Sequence, residues 1–320
     1  MKELEWAALA SNALKRIARS EDIRAYVEQS KELYPILFRA AQRFIAGESK
    51  ETAVAEAVEL ISKGYAVSLE YIGENTRTKH ECEMAKAEFL RLIQSAGAAG
   101  IQTTISLDLS HIGLEVDSEF AYGQLIELAN EAAEHRMNIM ISAEESAKTD
   151  SILQLYKRSS ETCTNIGITL QAHLHRTPQD FNEIAGCAGP VRIVKGAFKE
   201  PLDVALPRSE ELNNRYLHLA EMIISSGRLV SIATHDETII EEVQKRGYLD
   251  RPDVQMEMLY GVRPERIKEL KNAGYRTQVY VPYGREWHLY FCHRLAEFPP
   301  NVYKAIADMA QPQKVRESCY

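Results

Sequence analysis

From Gly64 onward the chain repeats one pattern eight times: a short run rich in Val, Ile, Thr or Tyr, then a longer amphipathic stretch. The runs cover 65–71, 101–107, 137–142, 166–174, 191–198, 229–234, 254–259 and 277–281. Between them lie segments of helical length such as 79–96, 121–135 and 213–226, with Gly97 and Gly227 as glycine stops. Eight strand-then-helix units predict an α/β fold, a distorted (βα)8 TIM-like barrel. A doubly wound open sheet shares the alternation, but no glycine-rich dinucleotide fingerprint follows a strand here, which favours the barrel. The preceding residues carry only helical periodicity, through Leu14, Ile17, Ile23, Tyr26, Val27 and Leu33. The division expected is a helical appendage over 1–63 and a catalytic barrel over 64–320.

Composition narrows the function. A formal net charge of −8 argues against a nucleic-acid partner, which would need a basic face. The five cysteines are scattered, without zinc-ligand spacing, and read as reduced thiols. No run approaches the roughly 20 apolar residues of a transmembrane segment, and the N-terminus has no secretory apolar core. The expectation is a soluble, cytoplasmic protein.

In a barrel, chemistry belongs at the C-terminal ends of the strands. Polar residues collect there: Glu70 and Glu74 after strand one, Asp108, Ser110 and His111 after strand two, Ser142, Glu144 and Glu145 after strand three. Strand four carries Gln171, His173 and His175, and strand five Arg192 and Lys195 followed by Gly196 and Ala197. Strand six ends Thr234-His235-Asp236, strand seven contains Glu257, and strand eight Tyr280. Three chemistries fit this mouth. His173 and His175, two apart on a strand, would face one way and could join His235, Asp236 or Asp108 in a metal-dependent hydrolase. Lys195 could be a desolvated amine forming a Schiff base. Arg192, Lys195, the small residues after it and Thr234-His235 could grip a pyrophosphate.

The segments VRIVKGAFKEP (191–201), SIATHD (231–236), LYGVRPE (259–265) and YVPYGREWHLYFCHRLAE (280–297) resemble motifs of the proline dehydrogenase family in its short monofunctional bacterial form. GYAVSLEYIGE (64–74) and LQAHLHRT (170–177) add to the likeness. The resemblance implies a flavin-dependent amine dehydrogenase or oxidase with FAD at the strand ends. It implies that Ala143, Gln171, Arg192, Lys195, Gly196, Ala197, Thr234 and His235 contact the cofactor, with Arg192 beside flavin N5. A hydride would leave the carbon next to the ring nitrogen of a proline-like cyclic amine, giving a cyclic imine. Quinone, oxygen or another acceptor would reoxidise the flavin.

Substrate-facing positions depart from the family. Asp108 stands where the family has Lys, Ser142 where it has Asp, Phe198 and His173 where it has Tyr, and Glu257 where it has Gln. The family's arginine pair for the substrate carboxylate becomes His293-Arg294. Arg192 and Ser142 are the catalytic candidates, and Asp108, Tyr280, Tyr290, His293, Arg294 and Glu297 the substrate-binding ones, with no metal ligands. With Asp108 beside the carboxylate site, the expected substrate is a proline derivative whose carboxylate is masked, free or held on a carrier protein. Authentic L-proline dehydrogenase, converting proline to 1-pyrroline-5-carboxylate, is the alternative.

Overall fold

Four helices precede the first strand: α1 (Lys2–Ala18), α2 (Glu21–Gln29), α3 (Leu33–Ala41) and α4 (Lys50–Ser62). The computed structural model describes residues 2–73, 75–298, 300–310 and 320. Strands β1 (Ala66–Tyr71), β2 (Thr104–Leu107), β3 (Asn138–Ile141) and β4 (Ile166–Gln171) alternate with α5 (Lys79–Ala98), α6 (Ser118–Glu134), α7 (Thr149–Ser160) and α8 (Thr177–Ile184). The second half follows suit with β5 (Val191–Val194), β6 (Val230–Ala233), β7 (Val254–Leu259) and β8 (Thr277–Tyr283). Its helices are α9 (Glu210–Ser225), α10 (Glu237–Lys245), α11 (Pro264–Asn272), α12 (Trp287–Glu297) and α13 (Pro300–Ala310). The strands pair in chain order, all parallel, and β8 closes on β1 through a register that sets Ser68 beside Tyr280.

Period-two alternation divides each strand between two environments. Val67, Leu69, Ile105, Leu107, Ile139, Ile141, Val191 and Ile193 belong to the main apolar core, which the helices cover. The alternate positions hold Ser68, Ser106, Thr169, Arg192, Ser231, Gln255, Glu257, Gln278 and Tyr280. Barrel lumens are ordinarily packed with branched aliphatic side chains. This one is polar, so the apolar driving force sits between barrel and helices, and the lumen must be held together by hydrogen bonds.

Local signals place the helices. Thr78 and Glu81 form a reciprocal capping box at the start of α5: Glu81 N donates to Thr78 Oγ1 at 3.2 Å, and Thr78 N donates to Glu81 Oε2 at 3.0 Å. Gly227 follows α9 in a left-handed conformation (φ +76°), as a stop glycine should. Gly97 does not end α5, which runs through it to Ala98; Gly100, at φ +71°, makes the turn instead. Strands two, four and five are shorter than their apolar runs. β4 stops at Gln171 because the chain then turns, His173 N donating to Lys195 O at 2.9 Å and His175 N to Val204 O at 3.0 Å. His173 and His175 therefore do not share a strand face, and the geometry on which the metal reading rested is missing.

Helix α12 departs from the barrel's helical ring. Trp287, Phe291 and Leu295 on it pack with Val27, Ala40, Phe44, Ile45 and Ala305 in a second apolar cluster, separate from the main core. The Trp287 indole N–H donates to Tyr34 Oη at 3.1 Å. α4, by contrast, contributes Ala53, Val54, Ala57 and Leu60 to the main core. The first three helices thus form the seat for α12. Trp287→Ala should cost about 3–5 kcal/mol of unfolding free energy by urea titration, the range for emptying a buried aromatic site. A loss below about 1 kcal/mol would show that this cluster is not coupled to the cooperative fold.

Candidate active site

The site is organised around Arg192, which is 4% exposed on β5. Its Nε donates to Glu257 Oε2 at 2.9 Å, and its Nη2 donates to Ser68 Oγ at 3.1 Å and Ser106 Oγ at 3.0 Å. Nη2 also lies 2.7 Å from Glu257 Oε1, an ion-pair contact without the alignment of a hydrogen bond. The guanidinium carbon sits 5.1 Å from the centre of the Tyr280 ring. A side chain from strand five reaches strands one, two, seven and eight only by crossing the lumen. Burial works against the Arg192 charge, but Glu257 more than restores it and holds the guanidinium above its ordinary value.

Above this pair lie the carboxylates of the mouth. Burial, reinforced by Glu70, raises the Tyr280 phenol well above its ordinary value. Asp108 adds negative potential at the same ring. Tyr280 is thus a neutral phenol between a cation and carboxylates.

α12 supplies the opposite wall. Arg294 Nη2 donates to Glu297 Oε1 at 2.6 Å, and the guanidinium lies 4.8 Å from the Tyr290 ring centre. Arg294 is therefore balanced by Glu297, while Glu257 is taken up by Arg192. Burial pushes the neighbouring His293 imidazole down to about 4, with Arg294, Arg19 and Lys15 adding to the effect. It is neutral at pH 7 and supplies no second positive charge.

The strand-five and strand-six loops meet beside this wall. Lys195 Nζ donates to Asp236 Oδ2 at 2.5 Å and to Asn213 Oδ1 at 2.6 Å, committing two of its three N–H donors. Thr234 Oγ1 accepts from Asp236 N at 3.1 Å. Leu259 N donates to His235 Nε2 at 3.2 Å, which places the ring proton on Nδ1. Burial, helped by Arg294 and Arg263, drives this imidazole down to about 3, so it is a neutral N–H donor. Gly196 has φ +104°, and a Cβ there would come within 2.4 Å of the His173 ring. Ala197 beyond it is exposed. On the strand-three side, Gln171 Nε2 donates to Glu144 O at 2.8 Å, next to Ala143. Glu74 lies outside the described residues.

Several buried polar atoms of this mouth have no hydrogen-bond partner: Ser142 Oγ, Gln171 Oε1, His173 Nε2, His235 Nδ1, Tyr290 Oη and Arg294 Nε. Leaving such atoms unpaired costs on the order of 1–3 kcal/mol each, so a cluster of them marks where a polar ligand belongs. They come from strands three, four and six or the loops just after them, and from α12. Donors and acceptors mix, beside a lysine and a threonine. That set fits a large cofactor with a polar ring and a phosphate linkage. Among the described residues, no group of three or more His, Cys, Asp or Glu side chains is placed to hold a metal ion.

The Proline dehydrogenase family model matches residues 53–297. Proline dehydrogenase 1 of Bacillus subtilis (strain 168) is 32% identical over 265 residues, covering 82% of this chain and 88% of that protein. The proline dehydrogenase of Deinococcus radiodurans is 32% identical over 277 residues, covering 83% and 88%. The chain belongs to the proline dehydrogenase family. This is a family of flavin-linked oxidoreductases. The crystal structure of proline utilization A (PutA) from Bdellovibrio bacteriovorus inactivated by N-propargylglycine has the same fold, with a TM-score of 0.76 at 17% identity. The likeness covers 93% of this chain but spans only 37% of that longer protein.

Two features of this family member's site escaped the sequence reading. Ser68 and Ser106 bind Arg192 and each other, Oγ to Oγ at 2.8 Å. Each lies two positions before a mouth carboxylate, Glu70 or Asp108, so strand periodicity would have put them in the lumen. Lys148 was also missed; its Nζ donates to Glu144 Oε2 at 2.9 Å and Asn75 Oδ1 at 2.6 Å, tying the strand-one loop to the strand-three loop. Nothing in the spacing announces it.

The buried imidazoles carry a pH dependence. His111, 5% exposed, is pushed down to about 4 by burial, and His235 to about 3. Both folded-state values lie below the unfolded one near 6.5, so the unfolded chain takes up protons first as pH falls. Stability is full above about pH 6.5 and declines below it, by about 1 kcal/mol per imidazole between pH 6 and pH 5. Urea midpoints at the two pH values should show it, and His111→Gln should remove about 1 kcal/mol of the decline. A midpoint that rises on acidification would contradict the assignment.

Proposed function

We propose that the chain is an FAD-dependent dehydrogenase that removes a hydride from the carbon next to the nitrogen of a proline-like cyclic amine, giving a cyclic imine. The observation that carries the reading is the lumen-crossing Arg192, fixed beneath a mouth whose buried polar atoms lack protein partners. When bound, FAD supplies the hydride acceptor. Gln171 and Ser142 would hold the ring, and Lys195, Thr234 and His235 the phosphate linkage. The last of these would donate from Nδ1, a neutral donor that adds no charge. Gly196 leaves the backbone bare where a side chain would collide with His173. Tyr290 and Arg294 would close the substrate side from α12.

The charges support a substrate with a masked carboxylate, as an ester or amide. On the α12 wall the one cation, Arg294, is balanced by Glu297, and His293 is neutral. Glu70 and Asp108 both act electrostatically on the Tyr280 phenol, and Glu70 acts on Arg294 as well. A carboxylate brought to about 4 Å from another carboxylate is repelled by on the order of 4 kcal/mol at an effective dielectric near 20. The same carboxylates attract the protonated ring nitrogen and can take its proton. Family membership favours free proline as the competing substrate, with Arg294 released from Glu297 to bind it.

Anaerobic mixing with proline, proline methyl ester and pyrrolidine, following loss of flavin absorbance, decides between them. The ester should reduce the flavin at least tenfold faster than proline at equal concentration. Proline as the best of the three, with its affinity lost in Arg294→Ala, would establish ordinary proline dehydrogenation. No bleaching by any of them would defeat the reaction class.

A further inference from the structure

We propose that Glu257 sets the reduction potential of the bound flavin by cancelling the charge of Arg192. The inference rests on the flavin reading above and deepens it. Glu257 is 2% exposed, and its side chain meets no cation but Arg192 among the described residues. The carboxylate meets the Nε and Nη2 edge of the guanidinium side-on, at 2.9 and 2.7 Å. Ser68 and Ser106 occupy Nη2 from the other direction, so the guanidinium is fixed and cannot leave its partner. Nη1 makes no hydrogen bond among the described residues and remains the edge available to a cofactor.

The reaction moves charge. With flavin bound, substrate would lose a hydride, two electrons and a proton, to the flavin, and its nitrogen would release a proton as the C=N bond forms. Hydride transfer to a neutral flavin would leave a negative charge near the guanidinium. A lone guanidinium nearby would stabilise that anion and raise the potential. A guanidinium already paired with a carboxylate presents a dipole instead. The charge remains to position the ring, while its effect on the anion is largely removed. A lower potential makes reduction by substrate harder and passage of electrons to the acceptor easier.

A purely structural role for Glu257 predicts something different. If the carboxylate only anchored Arg192, the cation would still set the potential. Spectroelectrochemical titration of the FAD-loaded protein separates the two. Glu257→Gln should favour the reduced flavin at least tenfold, a rise of about 30 mV for a two-electron couple. It should also tighten sulfite addition at N5 tenfold or more, because that adduct carries the same negative charge. The double replacement Arg192→Gln with Glu257→Gln removes both charges while keeping polar, hydrogen-bonding side chains in the lumen. Its reduction equilibrium should stay within about threefold of the native one, under half of that 30 mV. A tenfold fall in the double variant, or an unchanged equilibrium in Glu257→Gln, would overturn the inference. Native protein that takes up no FAD, read from its absorbance before any titration, would overturn the flavin reading along with it. FAD binding with unmoved potentials would overturn the inference alone.

Discussion

A single arginine crossing the barrel lumen governs this molecule. Arg192 leaves strand five and meets Glu257, Ser68 and Ser106 on the far strands, so one side chain ties four strands together where aliphatic packing would ordinarily do so. Burying both charges is expensive, and replacing such a pair by apolar residues is often stabilising. A site that retains it keeps a fixed charge distribution under the mouth. That preorganised field is what a hydride transfer generating an anion can use.

The rest of the site is divided between two supports. Strand ends and their loops present Gln171, Lys195, Thr234 and His235 from the rigid barrel. Tyr290, His293, Arg294 and Glu297 come from α12, seated on α1–α3 and α13 through its own apolar cluster. The residues proposed for the substrate side can therefore change on α12 without disturbing the lumen. The neutral His293, where the family resemblance implies an arginine, illustrates such a change.

The barrel was legible because each of the eight strands is marked by a β-rich run and separated from the next by a helical stretch, a pattern that tertiary context cannot easily override. Strand lengths were less so. The run 166–174 reads as continuous strand, yet the backbone turns at Ala172 to bond the strand-five loop, a partner invisible in local sequence. The same error placed His173 and His175 on one face. Gly97 looked like a helix stop because glycine is poor within helices, but the tertiary fold keeps it there and leaves the turn to Gly100. The mouth residues were found because barrel chemistry is confined to one end. The ion partners were not, since Glu257 and Arg192 are 65 positions apart and only closure of the sheet brings them together.

The central claim is that this polar mouth is built for a dinucleotide flavin. Titrating the apoprotein with FAD and, separately, FMN by flavin fluorescence tests it directly. One FAD per chain should bind saturably, with FMN at least tenfold weaker because it cannot span from Gln171 to the strand-six loop. Equal affinity for both flavins, or no saturable binding of either, would contradict the account.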